Sequence, residues 1–375
     1  MAQRHVAHVG ASLAVILAAG ASAVPARAAA SGTFTATGST EEARFYNTAT
    51  RLPSGQVLLA GGVDDTAEVY DPASGTFAGT GNMTAPRAEH TATLLTNGQV
   101  LVAGGDANGN PTSELYDPVT GAFTATGDMT TWRDNHTATL LPNGEVLVAG
   151  GSTSTALSSA ELYNPTTGTW TPTGSLTAAR YEHTATLLAT GEVLVAGGIG
   201  ADFKNLSSAE LYNPTTGTWT PTGSLSAPRY LHDAVLLGNG KVLVTGQENP
   251  GSPVNEPLPS AELYDPATGA WSDGGLGGCS SGFWCEFEGR AVVLSSGKVL
   301  LEGGLSTLIA AYRQGATSVA RLYDPATNSW STTGSMITPR RQHTATVLND
   351  GRVLVANGND FKRGGTTTSA EIYTP

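Results

Sequence analysis

Two kinds of apolar pattern follow one another along this chain, and their order repeats. Thr137-Ala-Thr-Leu140 alternates apolar with polar positions, whereas Val146-Leu-Val-Ala149 is apolar throughout. Both are short, β-rich runs of strand length. Asn143-Gly144 between them is the signature of a type I′ turn, so the two runs are expected to form a tight hairpin. A third run, Ala160-Glu-Leu-Tyr-Asn164, leads through Asn164-Pro-Thr-Thr-Gly168 to a fourth around Trp170, and that connection is turn chemistry. The unit therefore predicts four short antiparallel strands, designated a to d.

The unit occurs seven times. A glycine pair or its counterpart closes strand b at Gly61-Gly62, Gly104-Gly105, Gly150-Gly151, Gly197-Gly198, Gly246-Gln247, Gly303-Gly304 and Asn357-Gly358. Seventeen residues before each stands Arg44, Arg87, Arg133, Arg180, Arg229, Glu286 or Arg340. Strand c carries Tyr70, Tyr116, Tyr163, Tyr212, Tyr264, Tyr323 or Tyr373. In the first six units an aromatic follows seven residues later, at Phe77, Phe123, Trp170, Trp219, Trp271 or Trp330. The seventh unit stops at Pro375 without a strand d, and Gly32-Thr33-Phe34 supplies that pattern ten residues before Arg44. A strand donated from this end closes the ring and removes a free sheet edge.

The double glycine, the strand c tyrosine and the strand d tryptophan resemble kelch repeats, and the resemblance covers essentially all of residues 32–375. It implies an all-β fold: a seven-bladed kelch-like β-propeller with four antiparallel strands per blade, in one domain over residues 31–375. Kelch propellers include adaptors, sugar-binding proteins and enzymes, so function has to be argued from the site.

Composition narrows the classes. Of 375 residues 47 are glycine and 13% are charged, which suits short strands and tight turns. The formal net charge is −12 and no Lys/Arg cluster is present, which argues against a nucleic-acid partner. Residues 1–30 read as a signal peptide: Arg4, His5 and His8 precede an apolar run, and Ala26-Arg27-Ala28 and Ala28-Ala29-Ala30 are cleavage patterns. The run from Val9 to Val24 is short for a membrane span. The expectation is a secreted, periplasmic or cell-envelope protein, monomeric and without a membrane span once the leader is removed. In such a compartment Cys279 and Cys285, the only cysteines, are expected to form a disulfide.

In a meander the a–b and c–d turns share one face and the b–c and d–a loops the other. Only the second face varies in length: the b–c loop is five residues in Val63–Ala67 and sixteen in Leu305–Ala320. The d–a interval lengthens only between Trp271 and Glu286. Loops on a rigid scaffold are where binding resides, so this face of blades 5–7 is the expected binding surface. Its candidates are Phe283, Trp284, Glu286, Phe287 and Glu288 beside the cysteines, Glu248 and Asn249 in the blade 5 b–c loop, and Tyr312 and Arg313 in that of blade 6. Aromatic faces among polar groups suit a glycan or an extracellular protein. No cofactor and no catalytic residue is assigned.

Two repeated polar positions are weighed against this. His90, His136, His183, His232 and His343 open strand a in five units; a ring of them would be the metal ligands if a metal were bound, but fivefold repetition points to scaffold. Six units carry Glu two residues before the strand c tyrosine, and the sixth has Arg321 there with Glu286 at the arginine position. The joint sign reversal predicts that the two groups pair within a blade. A galactose-oxidase-like copper site is the enzyme alternative, yet the residues before the five histidines are Glu89, Asn135, Glu182, Leu231 and Gln342, none a tyrosine. A sugar mutarotase or isomerase would need only a placed acid and base, with Glu248, Glu286 and Glu288 available. The function expected is an exported, non-catalytic binding module.

Overall fold

The computed structural model describes residues 32–62, 64–246, 261–275, 285–287, 289–308, 313–360 and 365–375. Within them the chain forms seven four-stranded antiparallel sheets. Blade 3 is representative, with strands Thr137–Leu140, Val146–Ala149, Ala160–Asn164 and Thr169–Pro172 paired in chain order. Blade 7 takes its strand d from the other end of the chain: Thr33–Ala36 pairs with Ala370–Thr374, placing Phe34 opposite Tyr373. The seven strands a stand side by side around the axis, blade 7 against blade 1 included.

The core lies between blades. Strand b is buried along its whole length, as the pattern of Val146–Ala149 requires. Seven apolar clusters are shared by adjacent blades; Leu141, Leu147 and Ala149 of blade 3 pack on Val193, Val195, Tyr212 and Trp219 of blade 4. A sheet with two apolar faces needs a neighbour on each, and a closed ring supplies both. The aromatic pair latches the outer edge. Tyr163 and Trp170 lie 5.1 Å apart, the tyrosine hydroxyl shares a 2.8 Å hydrogen bond with Thr126 Oγ1 of blade 2, and Trp170 Nε1 donates to the Gly127 carbonyl.

The repeated arginine is buried, and both of its terminal nitrogens are bonded. Arg133 Nη1 donates to the carbonyls of Gly150 at 2.6 Å and Ser159 at 3.1 Å, and Nη2 donates to Glu161 Oε1 at 2.8 Å. The second carboxylate oxygen of Glu161 accepts the Thr130 N–H, which pins the d–a loop. The ion pair recurs as Arg44–Glu68, Arg87–Glu114, Arg180–Glu210, Arg229–Glu262 and Arg340–Glu371. Pairing within the blade thus holds in six units; in the sixth unit the side chain of Glu286 lies outside the described residues.

The glycine pair follows from the same geometry. Gly151 N–H donates to the carbonyl of Arg180 in the next blade at 2.9 Å. A Cβ on Gly150 would sit 2.5 Å from that carbonyl oxygen and 2.8 Å from His183 Cε1, so no side chain fits. The histidine is held there by the preceding blade: His183 Nε2 meets Thr137 Oγ1 at 3.1 Å, and His90, His136 and His232 make the same bond to Thr48, Thr91 and Thr184. Blades 5 to 7 replace the tie with charge. Asp233 accepts the Ala291 N–H at 2.8 Å, Arg290 Nε donates to the His343 carbonyl at 2.9 Å, and Glu302 lies 2.9 Å from His343 Nε2.

Two details differ from the pattern expected. The a–b turn is not type I′, because Gly144 has φ +87° while Asn143 is not left-handed. Strand pairing ends at Leu140 and Val146, leaving a five-residue connection in which Gly144 N–H donates to the Leu141 carbonyl at 2.9 Å. Pro142 takes the second position of a type I turn and the glycine completes a bulge. In blade 6, Cys285–Phe287 pairs with Leu305–Thr307, which pairs in turn with Arg313–Ala316, so segments read as loops form a small extra sheet.

Removing the carboxylate in Glu161→Ala strands a buried guanidinium and is expected to cost about 3–5 kcal/mol. Urea unfolding reads this directly, and an unchanged midpoint would show that the pair does not hold blade 3. Burial, with help from Arg87 and Arg229, holds His90 and His232 down to about 3, and burial holds His136 and His183 well below the usual range. Unfolded, each titrates near 6.5, so below that pH the unfolded chain binds protons that the folded chain refuses. Stability is full above about pH 6.5 and falls by about 1.4 kcal/mol per pH unit for each histidine as pH drops toward 3. Thermal melts should show this fall, and His183→Gln should lower Tm at pH 7 yet make the fall shallower; an unaltered slope would count against the assignment.

Candidate functional site

Between the repeated arginine and the repeated histidine position lie two residues that vary, and the second has an unusual backbone. Tyr46, Glu89, Asn135, Glu182, Leu231 and Gln342 occupy it in blades 1–5 and 7, and all six are left-handed, with φ between 49° and 56°. For residues other than glycine that conformation costs about 1 kcal/mol each. A relay of backbone hydrogen bonds joins five of these positions from blade 1 to blade 5. Glu89 N–H donates to the Tyr46 carbonyl, Asn135 to Glu89, Glu182 to Asn135 and Leu231 to Glu182, at 3.1–3.2 Å. The backbone is therefore alike in all six while the side chain differs.

These six residues line a cavity of about 300 Å³ at the mouth of the axial channel, together with Arg290 and the buried histidines. Asp134 pairs with Ser152, Tyr181 with Ile199 and Arg341 with Asn359, so each d–a loop meets its own b–c loop and the mouth opens on that face. Glu89 Oε2 accepts from Asn135 Nδ2 at 2.6 Å. Burial pushes the Glu89 carboxyl above the ordinary carboxylate range; the Asn135 hydrogen bond opposes this and the nearby Asp134 charge adds to it. Gln342 Nε2 donates to the Tyr46 hydroxyl and its Oε1 accepts from Asn359 Nδ2 at 2.6 Å. Carboxylates, amides, a phenol and a guanidinium thus surround a space suited to a small polar ligand. Among the described residues no three His, Cys, Asp or Glu side chains gather as metal ligands.

Aromatic residues mark the same face. The chain has 6 Trp, 11 Tyr and 8 Phe, and the repeated tyrosines with their ring partners take up the scaffold share. Every other aromatic, among them Phe45, Tyr46, Trp132, Tyr181, Phe203 and Tyr230, falls in a d–a or b–c segment.

Of the residues singled out from sequence, Glu248, Asn249, Phe283, Trp284, Glu288, Tyr312 and Cys279 lie outside the described residues. Cys285, Glu286, Phe287 and Arg313 stand in the extra sheet of blade 6, which brings the d–a insert and the b–c loop of that blade together. The mouth residues stand in the sequence as the second of two variable positions between the recurrent arginine and the recurrent histidine, but nothing local there marks them as facing a common cavity.

No curated protein matches this chain. A fungal alcohol oxidase of the AA5 family, solved in complex with copper, shares 17% identity with a TM-score of 0.72 over 92% of this chain and 76% of its own. YjhT shares 15% identity with a TM-score of 0.59 over 76% of this chain and 94% of its own. Both show a common fold. A copper centre does not fit the residues present, because the histidine Nε2 atoms of blades 2–5 are bonded to threonine and the position before each carries no tyrosine. The model of the KLHDC2/KLHL20/DRC7 kelch-repeats domain matches residues 135–358. With that match over more than half its length and seven blades of the same plan, the chain belongs to the kelch-repeat family.

Proposed function

We propose that this propeller is a non-catalytic binding module that takes a glycan at the axial mouth, on the face of the b–c and d–a loops. The observation that carries this reading is the ring of six left-handed residues. A position held under strain in every described repeat, yet filled by Tyr, Glu, Asn, Glu, Leu and Gln, spends stability to present side chains. The presence of Phe45, Tyr46, Trp132, Tyr181, Phe203 and Tyr230 in the d–a and b–c segments of that face supports a ligand with stackable faces and many hydroxyls. Arg290, from the sector of blades 5–7 where the loops lengthen, adds a cation to the mouth. The leader-like residues 1–30 support export, so that the ligand is met outside the cytoplasm.

A second reading rests on the Glu89 carboxyl, whose raised pKa in a cavity that Glu182 also lines is what acid–base work on a bound sugar needs. Proton NMR of a bound sugar separates the two: chemical change of the ligand favours catalysis, and its survival favours binding.

Mature protein, residues 31–375, is expected to bind at least one series among linear gluco-, xylo-, chito- and galacturono-oligosaccharides on an array. Glu182→Gly relieves the left-handed strain, so its Tm should equal or exceed that of the parent while affinity falls at least tenfold, about 1.4 kcal/mol. Unaltered affinity in that variant would move the ligand away from the mouth.

A further inference from the structure

Phe203 is exposed at 66% and is left-handed at φ +58°, a combination that neither burial nor backbone preference explains. It sits at the tip of the blade 4 b–c loop. There Gly200 N–H donates to the Lys204 carbonyl at 2.8 Å, Phe203 N–H donates to the Gly200 carbonyl at 3.0 Å, and Ile199 bridges to Asn205. The corresponding hairpin of blade 3 bridges Ser152 to Ala156 and ends in small residues. Glycine is the ordinary occupant of a left-handed bulge position in such a turn. The other large exposed apolar residues described, Val119 and Ile337, are not left-handed.

The hairpin is also fixed in place beside the mouth. Tyr181 N–H donates to the Ile199 carbonyl at 3.1 Å, the Tyr181 carbonyl accepts from the Ile199 N–H at 2.8 Å, and Glu182, the next residue, lines the cavity. A path therefore runs outward from the mouth past Tyr181 to Phe203. Exposed Asp202 and Lys204, joined at 2.9 Å, flank the ring.

We infer that Phe203 is an outlying stacking subsite for a sugar ring, so that the ligand is an oligosaccharide running from the mouth across blade 4. This rests on the glycan reading above and adds its length and direction. A protein partner would call for a contiguous apolar patch, whereas a single ring between charged groups suits a sugar with one C–H face and hydroxyls at its edge.

The test uses mature protein and whichever of the four oligosaccharide series binds, at one to six units, by calorimetry. Affinity of the parent should rise at least tenfold between one and four units. Phe203→Gly should lose that gain, keep the affinity for the single unit and melt no lower than the parent; Phe203→Trp should retain the gain. Equal binding of Phe203→Gly and parent at every length would overturn the subsite and leave the glycan reading standing. Failure of the parent to bind any member of the four series would overturn both.

Discussion

A buried guanidinium organises each blade of this propeller. Arg133 and its counterparts are out of contact with water, and a charge so placed needs a carboxylate and carbonyls around it, which gather at Nη1 and Nη2. One side chain therefore binds the end of strand b, the start of strand c and the carboxylate that pins the d–a loop. Its own carbonyl accepts from the glycine pair of the neighbouring blade, which carries the constraint around the ring. The unvarying distance from arginine to glycine pair follows: an inserted residue would pull the guanidinium from partners on three segments at once.

Because the scaffold is specified at the arginine, the glycines, the histidine and the Tyr–Trp latch, other positions are released. Those two residues after each arginine are the clearest case. The backbone is left-handed there whatever the side chain, a relay of backbone bonds links the position through blades 1–5, and six blades fill it with five residue types. Strain that is uniform in backbone and diverse in side chain separates framework from recognition within a single loop.

Departures from the repeat are compensated locally. Where blade 6 has Arg290 in place of the threonine that holds the next histidine, Glu302 takes over at His343, and Asp233 of blade 5 turns to the backbone of Ala291. Charge has replaced hydroxyl as the tie in that sector. One outcome is that Arg290 reaches the mouth while its Nε is anchored to blade 7.

Periodicity in the sequence was enough to determine the number of blades, their four strands, the closing strand from residues 33–36 and the arginine–glutamate pairs, because each is a short-range pattern repeated until chance is excluded. It misjudged the a–b turn, where Asn143-Gly144 looked like a two-residue connection although pairing stops at Leu140 and Val146. What only the tertiary structure decided is which variable residues meet. Tyr46, Glu89, Asn135, Glu182, Leu231 and Gln342 are separated by tens of residues in the chain and become neighbours solely because seven sheets close about one axis. Five of them are linked by backbone hydrogen bonds between blades, and a bond whose partner lies a whole repeat away leaves no mark in local composition.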